Sequence, residues 1–156
     1  MVASTFTFRR LVRDDVEPLK QLLGVFAEAF EDAETYGGAV PSDDYLATLL
    51  GKPHFVAVAA FLEAKVVGGL AAYVLDKFEQ DRREIYIYDL AVAEPHRRKG
   101  VATGAIGELR RIAADLDVYV IFVQADLEDA PAIALYESLG RKETAHHFDI
   151  EVRCSR

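Results

Sequence analysis

The stretch that decides the fold is Arg97-Arg98-Lys99-Gly100-Val101-Ala102-Thr103, which has the form Arg-x-x-Gly-x-Ala. It lies between a predicted strand, Glu84–Val92, and a predicted helix from Val101 to Ala114. A strand that leads directly into a helix leaves the first N–H groups of the helix unpaired, and these groups and the helix dipole together attract a pyrophosphate. Gly100 lets the backbone approach such a ligand closely. The stretch therefore predicts a phosphate-binding turn, with a solvated basic turn as the alternative.

Hydrophobic periodicity predicts alternating strands and helices on both sides of this turn. The predicted strands are Thr5–Val12, Phe55–Phe61, Val66–Leu75, Glu84–Val92, Val118–Val123 and His147–Val152. The predicted helices are Val16–Phe30, a helix from Ser42 or Asp43 to Leu50, the helix from Val101 to Ala114, and Pro131–Leu139. The segment Glu31–Tyr36 is predicted to be an acidic loop. This order favours a mixed α and β fold with a largely antiparallel sheet, in one domain over residues 1–156.

Composition and net charge argue against some classes of function. The 156 residues are 51% hydrophobic and 28% charged, with a formal charge of −8, which is ordinary for a globular protein but acidic. An acidic protein is poorly suited to nucleic acid or to an anionic membrane surface. The surplus of carboxylates favours a cationic partner, and the alternative is that it only maintains solubility.

The sequence gives no indication of export or of a membrane span. No apolar run approaches the roughly 20 residues that a span needs, and the first residues lack a basic start with an apolar core. The only cysteine, Cys154, cannot form an internal disulfide. We therefore expect a cytoplasmic protein.

The order of the motifs resembles the GNAT family of acetyl-coenzyme A-dependent N-acetyltransferases. Asp89-Leu90-Ala91-Val92, Pro95 and the turn at 97–103 resemble the pyrophosphate motif of the family, and Ala134-Leu135-Tyr136-Glu137-Ser138-Leu139-Gly140 resembles its second acyl-CoA motif. Stretches from about Ala33 to Ile150, among them Lys77-Phe78-Glu79-Gln80 and His147-Phe148-Asp149-Ile150, are similar to the class I aminoglycoside 3-N-acetyltransferases. The resemblance implies a GNAT fold, with a mixed and mostly antiparallel sheet flanked by helices and splayed between its fourth and fifth strands.

The resemblance also implies a binding site for acetyl-coenzyme A. Backbone groups of Leu90, Ala91 and Val92 would hold the pantetheine and thioester in the splay. The pyrophosphate would lie on the turn and the helix start. The coenzyme-binding residues there are Arg97, Arg98, Lys99, Gly100, Val101, Ala102 and Thr103. Tyr136 corresponds to the family's proton donor to the leaving thiolate, since a neutral phenol can donate to sulfur. The alternative is that Tyr136 only packs its ring into the core.

Asp89 is the first candidate for the base that accepts the proton of the attacking amine. An aspartate inside an apolar strand is costly unless it is paired or functional. Strict alternation places Glu84, Tyr86 and Tyr88 on one face and Asp89 on the other, unless a bulge resets the parity. The resemblance implies that the catalytic group often lies at the positions of Tyr86 and Tyr88, which are aromatic here, so Glu84 is the reserve candidate. A carboxylate-bound water is a third candidate for the base, and a structural acceptor role for Asp89 is the alternative.

Acidic and aromatic side chains are the candidates for binding a polycationic acceptor. The substrate-binding candidates are Glu84, Tyr86, Tyr88, Asp126 and Asp149. Carboxylates opposite ammonium groups would bind such an acceptor, although each one taken alone could equally be a solvated surface charge. No metal site is expected, because His146 and His147 lack a third ligand at a suitable spacing.

The resemblance implies acetyl transfer to the 3-amino group of the 2-deoxystreptamine ring of gentamicin-type aminoglycosides, and thereby antibiotic resistance. A second hypothesis keeps the fold but has a polyamine or a peptide amine as the acceptor. A third is a non-catalytic acyl-CoA-binding module. The family also allows a homodimer.

Overall fold

The structure is a computed structural model that describes residues 5–153, so Cys154 lies outside the described residues. The chain divides into two compact units, residues 1–124 and 125–156. No helix within the described range is long and apolar enough to cross a membrane.

The larger unit contains one five-stranded sheet in the order β1-β2-β3-β4-β5. The strands are β1 (Phe6–Arg10), β2 (Phe55–Leu62), β3 (Lys65–Asp76), β4 (Arg83–Val92) and β5 (Val118–Val123). The helices of this unit are α1 (Val16–Ala29), α2 (Ala33–Gly37), α3 (Asp43–Leu50) and α4 (Val101–Asp115), with a 3-10 turn at Glu94–His96. β1 to β4 are antiparallel neighbours, and β4 and β5 are parallel. The predicted mixed, mostly antiparallel sheet is thus confirmed.

Helices cover both faces of the sheet, which explains why β2 is apolar along nearly its whole length. On one face, α1 and α3 form a buried cluster with residues that include Phe55, Ala57 and Ala91. On the other face, Val101 at the start of α4 packs against Ala60, Val67 and Val92. The turn at 97–103 therefore belongs to the α4 face, and the α1 face remains for a second ligand.

Helix α4 packs very closely on β1 through Gly104. A Cβ atom at this position would lie 2.2 Å from Cζ of Phe8, well inside van der Waals contact. The absence of a side chain thus sets the distance between the helix and the sheet. Gly104 thereby fixes where the first turn of α4 lies.

The segment expected as an acidic loop contains the short helix α2. The carboxylate of Asp32 accepts a hydrogen bond from the Thr35 N–H at 3.0 Å and so caps this helix. Ser42 caps α3 in the same way, with its hydroxyl accepting from the Tyr45 N–H at 3.1 Å. The helix boundary predicted at Ser42 is therefore confirmed, and the loop predicted at Glu31–Tyr36 is wrong.

The smaller unit has one helix, α5 (Ala130–Leu139), within its described residues. The strand predicted at His147–Val152 is wrong, because the described residues after Gly140 form no strand. The side chains of Phe148, Ile150 and Val152 are 80%, 89% and 99% exposed. Alternation of apolar residues predicts which side chains share a face, but a strand also needs a partner for its backbone groups.

Candidate active site

The pairing of β4 with β5 ends partway along β4. The register runs from Arg83 opposite Val118 to Ile87 opposite Val123, whereas β4 stays paired with β3 as far as Val92 opposite Gly68. Beyond Ile87, β4 therefore has a ladder partner on one side only. This gap is the predicted splay, and it leaves backbone groups of residues 88–92 available to a ligand.

The turn that follows β4 contains two residues with positive φ. Arg98 and Gly100 have φ angles of 59° and 79°, in the left-handed region that glycine adopts without strain. For Arg98 this conformation is costly, and such strain is often stored where a backbone cradles a ligand. Gly100 is the N-cap of α4, so the following N–H groups have no partner inside the helix.

Arg97 fastens this turn to the end of β4. Its Nε donates to the carbonyl of Val92 at 2.9 Å. Arg98 and Lys99 are exposed and extend their charges into solvent. The three basic residues that were predicted to bind the pyrophosphate therefore differ in their contacts. Arg97 makes a structural hydrogen bond, whereas Arg98 and Lys99 are exposed and could contact a phosphate.

A bulge in β4 decides which face Asp89 shares. Ala71 of β3 pairs with Asp89, but the next residue, Ala72, pairs with Ile87. Tyr88 is therefore an extra residue, and it resets the alternation so that Asp89 joins the face of Glu84 and Tyr86. The α1 face of the sheet thus carries Asp89.

Asp89 is half-buried and accepts a hydrogen bond from the Tyr36 hydroxyl at 3.0 Å on Oδ1. Burial raises the pKa of Asp89 above its ordinary value, and the hydrogen bond from Tyr36 partly opposes this shift. Within the described residues, no Lys, Arg or His forms an ion pair with Asp89. A carboxylate in this setting can accept a proton from an amine.

Glu84, the reserve candidate, has both carboxylate oxygens occupied. Oε1 lies 3.2 Å from Nζ of Lys77, and Oε2 accepts a hydrogen bond from the Tyr119 hydroxyl at 2.9 Å. Each oxygen of Glu84 therefore already has a polar partner, whereas Oδ2 of Asp89 accepts no hydrogen bond from the described residues. The geometry therefore favours Asp89 over Glu84 as the base.

Asp89 lines a cavity of about 190 Å³ whose walls are mainly aromatic and aliphatic. Six of the lining residues are Phe26, Tyr45, Phe55, Tyr73, Tyr88 and Asp89. Among the described residues that line it, Asp89 is the sole acidic side chain, and none is a Lys, Arg or His. An ammonium group here would meet one carboxylate and several π faces, both of which attract cations.

A row of aromatic rings continues from this cavity across the sheet. Tyr88 contacts both Tyr73 and Tyr86 with ring centroids 5.9 Å apart, and Tyr86 stacks on Phe122 at 4.8 Å. The Tyr86 hydroxyl donates to Oε1 of Gln124 at 2.9 Å. Tyr88 is 61% exposed and Phe122 is 37% exposed, so the row presents an exposed apolar surface of the kind that binding sites often have.

The sequence matches a known family over most of its length. The model of the acetyltransferase (GNAT) family matches residues 20–140. The chain belongs to the GNAT acetyltransferase family. Members of this family use acetyl-coenzyme A as the acetyl donor.

Relatives of this GNAT protein include other N-acetyltransferases. It is 30% identical to the uncharacterized N-acetyltransferase YycN of Bacillus subtilis (strain 168) over 115 residues, which cover 73% of this chain and 72% of that protein. It is 29% identical to N-acetyltransferase 8 of Homo sapiens over 86 residues, which are 55% of this chain. The match spans only 38% of the length of that human protein.

Two solved structures from uncultured soil metagenomic samples are similar to the whole chain. One is an aminoglycoside acetyltransferase that is 51% identical, with a TM-score of 0.93 over 96% of this chain and 99% of that one. The other is an aminoglycoside acetyltransferase in complex with sisomicin, 30% identical, with a TM-score of 0.88 over 95% and 97% of the two chains.

The smaller unit of this GNAT chain carries the other predicted site residues. Tyr136 lies on α5 and is half-buried, and burial followed by the charge of Asp129 raises the pKa of its hydroxyl, which stays protonated at neutral pH. Asp126 is exposed, and Asp149 is exposed with its carboxylate 3.0 Å from Nε2 of His147. Across residues 5–153, no three His, Cys, Asp or Glu side chains come together as a metal site.

Sequence reasoning missed three residues of the site: Tyr36, Tyr73 and Phe122. Tyr36 meets Asp89 across 53 residues of chain, and no local pattern signals a contact of that separation. Tyr73 and Phe122 lie in runs that read as ordinary strand core. Their roles depend on strand order, because they neighbour Tyr88 and Tyr86 only once β3 and β5 flank β4.

Proposed function

We propose that this GNAT protein transfers the acetyl group of acetyl-coenzyme A to the 3-amino group of the 2-deoxystreptamine ring of gentamicin-type aminoglycosides. The observation that carries the proposal is the single acidic side chain, Asp89, in a cavity that the described residues line mainly with aromatic and aliphatic groups. A sugar-borne ammonium group suits this setting, because its charge meets the carboxylate and its ring meets the aromatic walls. The similarity to two aminoglycoside acetyltransferases supports the same substrate class.

In the proposed reaction the acceptor amine attacks the thioester carbon, an N–C bond forms and the C–S bond breaks. Asp89 takes the proton that the amine loses. The Tyr136 hydroxyl gives a proton to the leaving thiolate, so that coenzyme A leaves as the thiol. A carboxylate can accept a proton in the first role. A phenol with a raised pKa is protonated at neutral pH and can donate in the second.

The proposed donor site follows the open edge of β4 and the turn after it. Backbone groups of Leu90, Ala91 and Val92 would pair with the amides of the pantetheine. The pyrophosphate would accept hydrogen bonds from the first N–H groups of α4, over Val101–Thr103, with Gly100 allowing close approach. Arg98 and Lys99 would add charge, and Arg97 would hold the turn against Val92.

For the acceptor, we propose contributions from the aromatic row and from several carboxylates. Tyr86 and Tyr88 would stack on sugar rings, and Glu84 would approach an ammonium group while paired to Lys77. Asp126 and Asp149 are proposed to attract the remaining ammonium groups of the drug. Acetylation removes one positive charge and adds bulk, which weakens binding of the drug to ribosomal RNA and so confers resistance.

The test is thiol release from acetyl-coenzyme A with three acceptors: gentamicin, spermidine and a peptide with a free N-terminus. We expect turnover with gentamicin well above both alternatives and a product acetylated at the 3-amino group by NMR. Turnover confined to spermidine or the peptide would replace the proposed acceptor class. Binding of acetyl-coenzyme A without turnover of any amine would identify a non-catalytic module.

Two further properties are part of the proposal. We propose that the enzyme acts in the cytoplasm, where acetyl-coenzyme A is made and where aminoglycosides bind ribosomes. We also propose that it forms a homodimer. Drug susceptibility of cells that produce the wild type or Asp89→Asn tests the first property. Light scattering on the purified protein measures its mass against the 17.3 kDa of one chain and tests the second.

A further inference from the structure

Among the described residues of the larger unit, one other side chain donates a hydrogen bond to Asp89. That side chain is Tyr36. Its hydroxyl donates to Oδ1 at 3.0 Å. The second carboxylate oxygen, Oδ2, accepts no hydrogen bond from those residues and is free for a ligand. Tyr36 thus distinguishes two oxygens that would otherwise be equivalent.

The ring of Tyr36 is held independently of this hydrogen bond. It packs on Phe26 and Phe30 of the α1 region with centroid distances of 5.9 and 5.5 Å, and those two rings stack on each other at 5.7 Å. The Asp32 cap fixes the start of α2. A hydroxyl carried by a ring with these contacts loses little additional freedom when it binds a carboxylate.

Asp89 needs such a partner because its surroundings supply no cation. Titratable groups that face it are phenols on four elements, and the α1 residues that line the cavity are apolar. The phenols are Tyr36 on α2, Tyr45 on α3, Tyr73 on β3, and Tyr86 and Tyr88 on β4. The nearby charge of Asp32 acts on Tyr36 and has the same sign as Asp89.

We propose that Tyr36 is a positioning residue that holds Oδ1 of Asp89 and presents Oδ2 to the acceptor amine. The inference rests on the proposed role of Asp89 as the base. A hydrogen bond to the ionised form also favours ionisation, and Tyr36 lowers the pKa of Asp89 against the larger upward effect of burial. Burial and Asp89 raise the pKa of Tyr36 itself far above its ordinary value, so it stays a donor throughout the neutral range.

The test is Tyr36→Phe, which removes the hydroxyl and keeps the ring on Phe26 and Phe30. The first readout is the ionisation midpoint of Asp89, followed by carboxyl NMR and assigned with Asp89→Asn. We expect the midpoint to move to higher pH in Tyr36→Phe. The matched control is Tyr119→Phe, which removes a hydroxyl bonded to a different carboxylate, Glu84, and should leave the Asp89 midpoint where it is.

The second readout is kcat as a function of pH at saturating acetyl-coenzyme A. Loss of one hydrogen bond to a charged group should lower kcat roughly ten- to a hundredfold, with a larger loss at the acidic end. An unmoved Asp89 midpoint in a folded Tyr36→Phe protein would overturn the proposal, as would an unchanged kcat across the pH range. The NMR readout needs no turnover, so a shifted midpoint in a protein that acetylates no aminoglycoside would support the positioning role and refute the proposed substrate.

Discussion

Replacement of Asp89 by asparagine should lower activity and raise stability, because one ionised group causes both effects. The substitution keeps the shape of the side chain, and the amide oxygen can still accept from the Tyr36 hydroxyl. It removes the proton acceptor, and a general base contributes roughly 100- to 10,000-fold to a rate. We therefore expect kcat to fall by that factor, equivalent to about 2.7–5.4 kcal/mol of activation free energy.

The stability effect has the opposite sign. Burial raises the pKa of Asp89 in the folded state, so the folded protein binds this proton more tightly than the unfolded chain does. Ionised Asp89 therefore opposes folding above its folded pKa, and this penalty disappears as the pH falls below the unfolded pKa. Asp89→Asn should melt at a higher temperature than the wild type at pH 7, and the difference should shrink toward acidic pH.

Three measurements separate the possible outcomes. Thiol release with gentamicin gives kcat, calorimetry gives the affinity for acetyl-coenzyme A, and thermal melting gives the stability difference. Wild-type turnover in Asp89→Asn would refute the assigned base and move the role to Glu84 or to a water molecule. A lower melting temperature at pH 7 would show that the carboxylate stabilises the fold, contrary to the reasoning from burial.

Three further substitutions test other parts of the site. Gly104→Ala places a Cβ atom 2.2 Å from the ring of Phe8, so α4 must move. We expect the free energy of unfolding to fall by about 1–3 kcal/mol and the KM for acetyl-coenzyme A to rise. The double variant Gly104→Ala/Phe8→Leu should recover part of both losses. Arg98→Gly relieves a left-handed φ of 59° and should raise stability by up to about 1 kcal/mol while weakening acetyl-coenzyme A binding; an equal affinity would remove Arg98 from the phosphate site. Tyr136→Phe should lower kcat roughly 100-fold or more without changing the affinity for acetyl-coenzyme A, and a wild-type kcat would leave Tyr136 a packing residue.

The strand-to-helix turn could be predicted from sequence because its determinants are local. A β-type run, a glycine with positive φ and an amphipathic helix follow in that order within a short stretch of chain, and each imposes its own conformation on the backbone. Arg97 shows the limit of such reasoning. Its position in a basic run predicts a phosphate contact, but its Nε binds the Val92 carbonyl, which depends on how the chain turns back at the 3-10 segment.

The face of Asp89 could not be predicted because a bulge leaves no clear mark in a strand sequence. Alternation alone assigned Asp89 to the face opposite Glu84 and Tyr86, and a single extra residue at Tyr88 reversed this assignment. The wrong prediction at His147–Val152 has a related cause. Its alternating apolar residues satisfy the local requirement for a strand, while the missing requirement, a partner for the backbone, is not local.

Some carboxylates of this acidic chain, which has a formal charge of −8, already have cationic partners. Asp15, Asp43, Glu84 and Glu108 all form ion pairs with basic side chains of the same unit. The charge of a carboxylate in such a pair is partly neutralised, so it attracts an external cation less strongly than an unpaired carboxylate does. Asp89 differs, since the described part of the larger unit gives it a phenol and no cation.

In the proposed function, selectivity for a cationic acceptor would depend on where one carboxylate lies more than on how many the surface carries. Long-range attraction by the acidic surface would draw any polyamine, and salt would screen it. The cavity adds discrimination between kinds of amine. Its aromatic walls favour an amine attached to a ring over an amine on a flexible chain, because ordering the flexible chain costs more entropy. An aminoglycoside satisfies both conditions, and a linear polyamine satisfies only the first.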